Sequence, residues 1–308
     1  MNPENFRLTS SNESDDINGY IWMPDGDPVA SLQIVHGMAE HILRYSDFAS
    51  YLNTLGIAVY GHDHIGHGGT SEEKGFFAES DGNRMLVEDV HRVNGKMNAD
   101  LPGIPHFIMG HSMGSFVTRR FLTIHGSDVD GAVIMGTGNQ PAYQVRLGGY
   151  LARRLVSKNG PHYKSEFLNN MVMGTYDRKF KTPDLPNRWL CSDPDAVNTY
   201  NEDPLCGFTF TVSAYRDVFN LILGLVRCEG LDRMPKDLPM LFVSGAEDPV
   251  GGFGKGVRKA VENLEKAGLR PELKLYPGMR HEILNEFDRE QVYRDIGGWL
   301  TSHIDGSE

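Results

Sequence analysis

Short apolar runs that end near a glycine recur along the chain, and they alternate with segments in which apolar residues have helical spacing. Such runs are typical of buried strands that end in loops. Their alternation with helices predicts a mainly parallel sheet that is covered by helices on both faces. The predicted strands are residues 32–35, 57–60, 106–109, 132–135, 239–244 and 272–276, and the predicted helices are residues 45–55, 85–97, 116–125 and 256–267.

The start of the chain shows a different pattern. Residues 6–9 and 17–23 are strand-like and are separated by a polar run at residues 10–16. Two strand-like segments joined by a polar turn are typical of an antiparallel hairpin. We therefore expect a hairpin at the edge of the sheet, which makes the predicted sheet a mixed one.

The strand pattern stops over residues 139–232, where the chain becomes helical and rich in loops. An insertion that interrupts a regular alternation of strands and helices is typical of a lid or cap. We therefore predict a catalytic core formed by residues 1–138 and 233–308, and a helical cap formed by residues 139–232. A helical subdomain with no role in access is the alternative.

Residues 214–226 form the most apolar predicted helix of this insertion. The helix either rests on a lipid surface or forms the packed core of the cap.

Length and charge narrow the range of functions. The chain has 308 residues, of which 40% are hydrophobic and 23% are charged, as is usual for a globular protein of about two domains. With 30 Lys and Arg against 41 Asp and Glu, the formal net charge is −11. Because an acidic protein repels polyanions, we expect no nucleic-acid partner and a substrate that is neutral, zwitterionic or cationic.

Three cysteines, Cys191, Cys206 and Cys228, are too few and too scattered for a disulfide framework or a zinc site. The first residues have neither the basic nor the apolar region of a secretory signal. The longest apolar stretch, residues 218–226, is shorter than the ~20 residues that cross a bilayer. These features predict a cytoplasmic protein that does not cross membranes, with peripheral membrane contact through the cap left open. They do not indicate an oligomeric state.

The strongest chemical signal is the pentapeptide Gly110-His111-Ser112-Met113-Gly114, a G-x-S-x-G sequence. A predicted strand enters it and a predicted helix leaves it, which is the context of a nucleophile elbow. In such a turn the neighbouring residues must be small, the serine backbone is strained, and the hydroxyl projects above the sheet. We therefore predict Ser112 as a catalytic nucleophile. A turn that only bends the chain is the alternative.

A serine nucleophile needs a base, and the base needs an orienting acid. After a nucleophile elbow these partners follow in the order acid, then histidine, on loops beyond later strands. Asp248 lies beyond one such strand and is predicted as the acid, with the adjacent Glu247 as competitor and a turn-forming role as the alternative. His281 lies beyond the last predicted strand and is predicted as the base that exchanges a proton with Ser112.

Two backbone N–H groups are also needed to stabilise the oxyanion. One is predicted to belong to Met113, which follows the nucleophile. The other should come from the loop after the strand at residues 32–35, where the sequence runs His36-Gly37-Met38. We predict the N–H of Met38 as this second donor, because Gly37 lets the backbone turn towards the site. Simple loop packing is the alternative for Met38.

A cluster of histidines follows the first two parallel strands. A metal site is one interpretation of the cluster, but the spacing of its aspartate and histidines does not match that of binuclear metal hydrolases. We expect these side chains to form hydrogen bonds within the loops, and we predict no metal and no cofactor. The five residues are His36, His41, His62, His64 and His67.

Together these motifs resemble the α/β-hydrolase superfamily, in particular its branch of monoacylglycerol lipases, lysophospholipases and related serine hydrolases. The resemblance implies an α/β-hydrolase fold, with a mostly parallel eight-stranded sheet flanked by helices and an inserted helical cap. It also implies that Tyr200 of the cap faces the polar head of a substrate, although a packed cap tyrosine is equally compatible. The similarity covers nearly the whole chain and is carried by residues 36–45, 63–68, 110–114, 200–205 and 276–286.

The predicted activity is hydrolysis of a carboxylic ester with one acyl chain, of the monoacylglycerol or lysophospholipid type, through an acyl-Ser112 intermediate. A cap rich in Leu, Phe and Met suits an alkyl chain, because burial of each methylene contributes ~0.8 kcal/mol. The pocket depth would then set the preferred chain length.

Three alternatives stay open. A serine peptidase or amidase would use the same triad, with cap acids such as Glu202 and Asp203 holding the substrate amino group. A short-chain carboxylesterase would also use it. A non-catalytic receptor would be expected to lack a triad residue, and none is missing. A haloalkane dehalogenase is disfavoured, because it needs a carboxylate at position 112.

Overall fold

The structure is a computed structural model that describes residues 3–180 and 184–304. One sheet of eight strands lies at its centre. The strands are β1 (Glu4–Thr9), β2 (Asp16–Trp22), β3 (Ala30–Val35), β4 (Ile57–His62), β5 (His106–His111), β6 (Gly131–Met135), β7 (Met240–Gly245) and β8 (Glu272–Tyr276). Their order in the sheet is β1-β2-β4-β3-β5-β6-β7-β8. β2 pairs antiparallel with β1 and β4, and all other neighbours are parallel.

The predicted strands and the predicted edge hairpin are confirmed. Each of the predicted parallel strands is present within one or two residues of its predicted ends. β1 and β2 form the hairpin, in which Thr9 pairs with Asp16, and β1 is the edge strand. β3, β4, β6 and β7 are buried at every position. Strands that are covered on both faces read as continuous apolar runs, which is why the pattern located them well.

Helices cover both faces of the sheet. They are α1 (Ser46–Thr54), α2 (Gly82–Asp100), α3 (Met113–His125), α4 (Ala142–Asn159), α5 (Glu166–Val172), α6 (Pro194–Glu202), α7 (Val212–Val226), α8 (Lys255–Lys266) and α9 (Arg289–Ser302). On one face, α1 and α9 share a core with the sheet in which Phe48 joins Phe107 of β5. On the other face, α2, α3 and α8 share a core in which Phe121 joins Ile108 of the same strand. Successive residues of β5 therefore point into opposite cores.

The chain between β6 and β7 forms α4 to α7 and their loops. α7 packs against α4 and α3, and its side chains Tyr215, Leu221 and Leu225 are buried in the core that it shares with α3. The structure therefore supports the interpretation that residues 214–226 form a packed core, and not the interpretation that they lie on a lipid surface.

Three exposed apolar side chains of this segment lie together on α4, a helix that the sequence pattern did not indicate. Tyr143, Leu147 and Tyr150 are 70%, 55% and 54% exposed. Gly148 and Gly149 stand in the middle of the helix and weaken its helical signal. No helix within the described ranges combines the length and the apolar content that crossing a membrane requires.

Phe107 of β5 tests the packing of the central sheet. Its ring is fully buried and lies near Trp299 of α9, with ring centroids 6.3 Å apart. We expect Phe107→Ala to lower the free energy of unfolding by about 3–5 kcal/mol, because it removes a buried ring and leaves a cavity. Urea denaturation followed by circular dichroism measures this change.

Phe167 of α5, which is 66% exposed, provides the matched control. Phe167→Ala should change the free energy of unfolding by less than about 0.5 kcal/mol. Equal effects of the two substitutions would contradict the packing described for β5.

Candidate active site

A sharp turn joins β5 to α3 at the predicted nucleophile. β5 ends at His111, α3 begins at Met113, and Ser112 between them has φ 53° and ψ −120°. A positive φ costs a residue with a side chain on the order of 1–3 kcal/mol. The Ser112 N–H donates to the carbonyl of Met135 at 3.0 Å, which anchors the turn to β6. The strand, the strained serine and the following helix together have the form of a nucleophile elbow.

The two glycines of the pentapeptide are required by close packing. A Cβ added to Gly110 would lie 2.3 Å from Thr118 Oγ1, and one added to Gly114 would lie 2.1 Å from the carbonyl oxygen of Val35. Both distances are far shorter than van der Waals contact. The turn therefore lies directly against the end of β3. The loop that follows β3 carries Met38, the second predicted oxyanion donor.

The predicted acid and base meet beyond β7 and β8. His281 Nδ1 lies 3.0 Å from Asp248 Oδ2, and both side chains are buried. Asp248 is held by Ser244, whose hydroxyl donates to Oδ2 at 3.2 Å, and by Val250, whose N–H donates to Oδ1 at 2.8 Å. The competing Glu247 is partly exposed and pairs with a surface lysine. Because the carboxylate engages Nδ1, the other ring nitrogen of His281 is left for proton exchange.

The electrostatics of this pair favour a charged imidazole. Burial lowers the pKa of His281, but the charge of Asp248 and its hydrogen bond act in the opposite direction, and the net pKa is raised. The protonated form of His281 is the one that arises when a base accepts a proton. The pair is therefore arranged to stabilise the product of a proton transfer.

The loop after β3 passes directly beside Ser112. A Cβ added to Gly37 would lie 2.6 Å from Glu40 Oε1 and 3.0 Å from the Cβ of Ser112, so a side chain at this position would have to displace its neighbours. The Gly37 N–H donates to the Glu40 side chain at 2.6 Å. Within residues 3–180 and 184–304, no protein group accepts a hydrogen bond from the N–H of Met38 or Met113. These are the two N–H groups predicted to stabilise the oxyanion.

Ala39, the next residue of the loop, is held at both ends of its backbone. Its φ of 53° is unusual for a residue with a side chain. Its N–H donates to His67 Nε2 at 3.2 Å, and its carbonyl accepts from the Tyr200 hydroxyl at 3.1 Å and from the Gly207 N–H at 2.9 Å. His67 follows β4, whereas Tyr200 and Gly207 belong to the segment between β6 and β7. Both parts of the molecule therefore position the loop that carries Met38.

A buried charged cluster, which the motifs did not reveal, lies behind these residues. Arg44 donates to Glu40 Oε2 at 2.6 Å and to the two carboxylate oxygens of Glu282 at 2.8 and 2.7 Å. Glu40 belongs to the loop that carries Met38, and Glu282 directly follows His281. One guanidinium therefore connects the predicted oxyanion loop to the loop of the predicted base. Two features of the sequence could have indicated this cluster. Glu40 and Arg44 are four residues apart, and Glu282 directly follows the predicted base His281.

The cluster is charged although it is buried. Burial raises the pKa of Glu40 and of Glu282, but Arg44 and His111 lower it, and the net pKa of each carboxyl is lowered. Burial lowers the pKa of Arg44, but the two carboxylates raise it by more. Glu40 Oε1 also accepts from the Tyr45 hydroxyl at 2.9 Å and lies 3.3 Å from His111 Nδ1. The cluster therefore also contacts the nucleophile elbow.

The predicted hydrogen bonding of the histidine cluster is confirmed for His36, His64 and His67. The N–H of His64 donates to His36 Nε2 at 3.0 Å, and His67 accepts from Ala39 as described above. Burial lowers the pKa of His64 and His67 to about 3, so both rings are neutral at physiological pH. His62 differs from this prediction, because its ring nitrogens have no hydrogen-bond partner in the described part of the chain. His41 Nε2 lies 2.8 Å from Oδ2 of Asp203, in the segment between β6 and β7.

A cavity of about 750 Å³ opens in front of the site, a volume in the range that holds a small ligand. Ser112, His281, Met38 and Met113 all line it, so the structure brings the predicted nucleophile, base and oxyanion donors to one space. Much of the remaining wall is apolar and comes from α4, α5 and α7. Its side chains include Val145, Leu147, Met171, Val218, Phe219 and Ile222.

Of the residues predicted to contact a substrate, one lines the cavity and two do not. Tyr200 lines the cavity, although its hydroxyl is engaged with the Ala39 carbonyl. Glu202 and Asp203, the acids considered for a peptidase, are not among the cavity-lining residues in the described ranges. Glu202 is exposed, and Asp203 pairs with His41.

Known proteins resemble this chain over nearly its whole length. It is 26% identical over 287 residues to the monoacylglycerol lipase of Mycolicibacterium smegmatis, with 92% of each chain covered. It is 28% identical over 293 residues to the monoglyceride lipase of Homo sapiens, which covers 91% of this chain and 85% of that protein. A highly thermostable carboxyl esterase from Bacillus coagulans, solved in complex with glycerol, has a TM-score of 0.92 and 29% identity, with 99% of both chains covered.

The sheet, the elbow and these similarities agree on the fold, which is that of the α/β-hydrolases. The family described as serine aminopeptidase, S33, matches residues 26–288, which is most of the chain. The chain therefore belongs to this family, Hydrolase_4, within the α/β-hydrolase superfamily.

Proposed function

We propose that this protein is a serine ester hydrolase that cleaves lipid esters with one acyl chain, with monoacylglycerols as the leading substrate class. The proposal is carried by the single cavity that Ser112, His281, Met38 and Met113 line, with Asp248 hydrogen-bonded behind His281. The lipases and the carboxyl esterase that resemble the chain support it. A complete set of reactive groups facing one cavity favours an enzyme over a non-catalytic receptor.

In the proposed mechanism the ester is cleaved in two stages. Ser112 Oγ attacks the ester carbonyl carbon while His281 takes the hydroxyl proton, and the N–H groups of Met38 and Met113 stabilise the oxyanion. His281 then gives the proton to the alcohol oxygen, and the alcohol leaves. Water attacks acyl-Ser112 with His281 again as the base, which releases the carboxylic acid and restores the serine. Asp248 orients His281 and stabilises its charged form.

The cavity wall supports a substrate with one alkyl chain and a polar alcohol. The side chains of α4 and α7 offer an apolar surface on which each buried methylene contributes ~0.8 kcal/mol. Glu40 and Glu282 are polar lining groups close to the oxyanion loop. Both are paired with Arg44, and their carboxylate oxygens can still accept hydrogen bonds from the hydroxyls of an alcohol such as glycerol. The two kinds of wall match the two halves of a monoacylglycerol.

An aminopeptidase, which the family description names, is the second candidate. Such an enzyme needs a free carboxylate to hold the substrate ammonium group. Within the described part of the cavity wall the carboxylates are Glu40 and Glu282, and Arg44 binds both. An ester substrate makes no such demand and is therefore favoured.

Tyr200 is assigned a positioning role in this proposal. Its hydroxyl donates to the carbonyl of Ala39, and the Ala39 backbone follows directly on Met38. This contact restrains the direction of the Met38 N–H, which must already point at the oxyanion when negative charge develops. The interpretation differs from a direct contact between Tyr200 and the substrate alcohol, and the two can be separated by experiment.

Peripheral membrane contact is assigned to α4. Its exposed apolar side chains are Tyr143, Leu147 and Tyr150, and Leu147 also lines the cavity. The helix carries no acidic residue, and its exposed cations are Arg146, Arg153, Arg154 and Lys158. A basic helix with an exposed apolar face is typical of a segment that lies on an anionic lipid surface. Contact there would bring the cavity close to lipid.

Ser112→Ala tests the proposed reaction. Hydrolysis of 1-monoacylglycerols and of p-nitrophenyl esters of graded acyl length should fall by at least about 10⁴-fold in kcat/KM, because the nucleophile is lost. Ser14→Ala, at an exposed serine in the first hairpin, should retain full activity. Retained turnover in Ser112→Ala would contradict the mechanism.

The same assay on the unchanged protein tests the substrate class. Longer acyl chains should be preferred to acetate, because the cavity wall is apolar, and monoacylglycerols should be cleaved faster than lysophospholipids or aminoacyl amides. A preference confined to acetate would contradict a lipid substrate, and faster cleavage of the amides would favour the peptidase.

Tyr200→Phe tests the positioning role. Loss of one hydrogen bond to the oxyanion loop should lower kcat by about 2- to 10-fold with KM nearly unchanged, and equally for a monoacylglycerol and a p-nitrophenyl ester. Tyr163→Phe, at a half-exposed tyrosine outside the cavity wall, is the matched control and should have no effect. An increase in KM for the monoacylglycerol alone would instead indicate a direct contact with glycerol.

Vesicle sedimentation tests the role of α4. The protein should bind vesicles that contain phosphatidylserine and should bind neutral phosphatidylcholine vesicles more weakly, since each Lys or Arg near an anionic surface contributes about 1 kcal/mol. Leu147→Glu and Tyr150→Glu should abolish binding. Phe287→Glu, at a residue that is 68% exposed outside α4, should retain it. Absence of binding to either vesicle, or equal losses in all three variants, would rule out this surface.

A further inference from the structure

The cavity has a second polar region, which is separate from the oxyanion loop. It is formed by two residues that follow β6, Asn139 and Gln140, and by two lysines at the start of α8, Lys255 and Lys259. All four residues line the same cavity as the proposed nucleophile. They are called the α8 end of the cavity below. The motifs of the sequence did not indicate them.

The order of the strands places the α8 end and the oxyanion loop on opposite sides of Ser112. Ser112 follows β5, whose neighbours in the sheet are β3 and β6. The oxyanion loop follows β3, whereas residues 139 and 140 follow β6, and α8 comes after β7, the next strand. β7 lies two strand spacings, roughly 10 Å, from β5. An ester whose alcohol lies beside the oxyanion loop can therefore extend its acyl chain towards the α8 end.

The α8 end carries positive charge that the protein neutralises only in part. Lys259 Nζ donates to Glu262 at 2.8 Å, but within the described ranges Lys255 has no carboxylate partner. Arg258, between the two lysines, is exposed outside the cavity wall, and α8 has no acidic residue before Glu262. Cations at the start of a helix are unfavourable, because the helix dipole is positive there. An anion in the cavity would relieve this repulsion.

Gln140 can add hydrogen bonds to such an anion. Its Oε1 is buried and has no hydrogen-bond partner in the described chain, and its Nε2 makes only a long bond of 3.4 Å to the carbonyl of Val250. The side-chain amide has two N–H donors, and rotation about its terminal torsion turns them towards a ligand. The α8 end therefore offers a free ammonium group and an uncommitted amide, which are donors that suit a carboxylate.

We infer that the α8 end binds a carboxylate at the far end of an acyl chain, with Lys255 as its principal contact and Gln140 as a hydrogen-bond donor. The substrate class is then monoesters of dicarboxylic acids, which are cleaved in addition to unmodified monoacylglycerols. Lys259 contributes less, because Glu262 already binds it. The inference rests on the proposed ester hydrolysis and extends its range of substrates.

The site selects for chain length as well as for charge. A carboxylate that stops short of Lys255 lies against the apolar wall of α4 and α7, where burial of an unpaired charge is costly. A carboxylate that reaches Lys255 is paired. The net charge of −11, which disfavours anionic partners for the molecule as a whole, does not exclude an anionic group at this one position.

Mono-p-nitrophenyl esters of dicarboxylic acids, graded from succinate to dodecanedioate, test the inference. Each is compared with its methyl ester, in which the terminal carboxylate is neutralised. At one intermediate length the carboxylate form should match or exceed the methyl ester in kcat/KM, whereas for succinate it should be poorer by at least about 10-fold. A carboxylate form that is poorer at every length would overturn the inference.

Substitutions locate the contact. Lys255→Ala should lower the ratio of kcat/KM for the carboxylate form to that for the methyl ester by about 10-fold at the best length, mainly through KM, and Lys255→Arg should retain the ratio. Arg258→Ala removes an exposed charge from the same helix outside the cavity wall and is the matched control. Equal losses in Lys255→Ala and Arg258→Ala would indicate a general effect of charge and contradict a site at Lys255.

Reversal of the charge separates a substrate contact from a structural role. Lys255→Glu should reject the carboxylate form and should prefer a p-nitrophenyl ester whose acyl chain ends in an ammonium group. A lysine that only supports the start of α8 would not produce this reversal. Unchanged preferences in Lys255→Glu would therefore overturn the inference.

Binding without turnover distinguishes this inference from the proposed function. In calorimetric titrations of Ser112→Ala with the carboxylate form, addition of Lys255→Ala should weaken binding by about 10-fold. If that difference is found but the unchanged protein cleaves neither form, the proposed function fails alone. If both forms are cleaved and binding is equal, this inference fails alone. An effect of Lys255→Ala on lysophospholipids only would place a headgroup phosphate at the α8 end and overturn the assignment to the acyl chain.

Discussion

One buried guanidinium determines the geometry of the candidate active site. Arg44 binds Glu40 on one side and both oxygens of Glu282 on the other. Burial of a charge is costly unless the charge is paired, so none of the three side chains is stable there without the others. Glu40 also binds the Gly37 N–H, and Glu282 follows His281 in the chain. The separation between the proposed oxyanion loop and the proposed base therefore follows from these charge-assisted hydrogen bonds.

Two residues with strained backbones lie in the nucleophile elbow and in the loop that carries Met38. Ser112 and Ala39 both have φ of 53°, a conformation that a residue with a side chain rarely adopts. Ser112 is restrained by its anchor to β6, and Ala39 by hydrogen bonds from Tyr200 and to His67. Donors held in this way need not reorganise when charge develops. Because Tyr200 belongs to the segment between β6 and β7, that segment contributes to the proposed chemistry as well as to the cavity wall.

Sequence reasoning located the features that depend on local pattern and chain order. Buried parallel strands read as apolar runs, so their ends, and with them Ser112, Asp248 and His281, could be placed without knowledge of contacts. The partnership of Arg44 with Glu282 could not be predicted, because 238 residues separate them and no spacing rule pairs the two segments in which they lie. α4 was missed because its apolar side chains face outward and glycines interrupt it.

The net charge of −11 does not reflect the distribution of charged groups around the candidate active site. In the described cavity wall the acidic groups are committed to Arg44, so a neutral ester meets no free carboxylate there. At the cavity edge α4 carries four exposed cations and no acid. Since salt screens charges beyond roughly 10 Å, a lipid surface near α4 experiences those cations more than the distant acidic groups. The overall acidity argues against polyanion binding but is compatible with contact between α4 and an anionic membrane. A released fatty-acid anion is drawn towards the same positively charged helix.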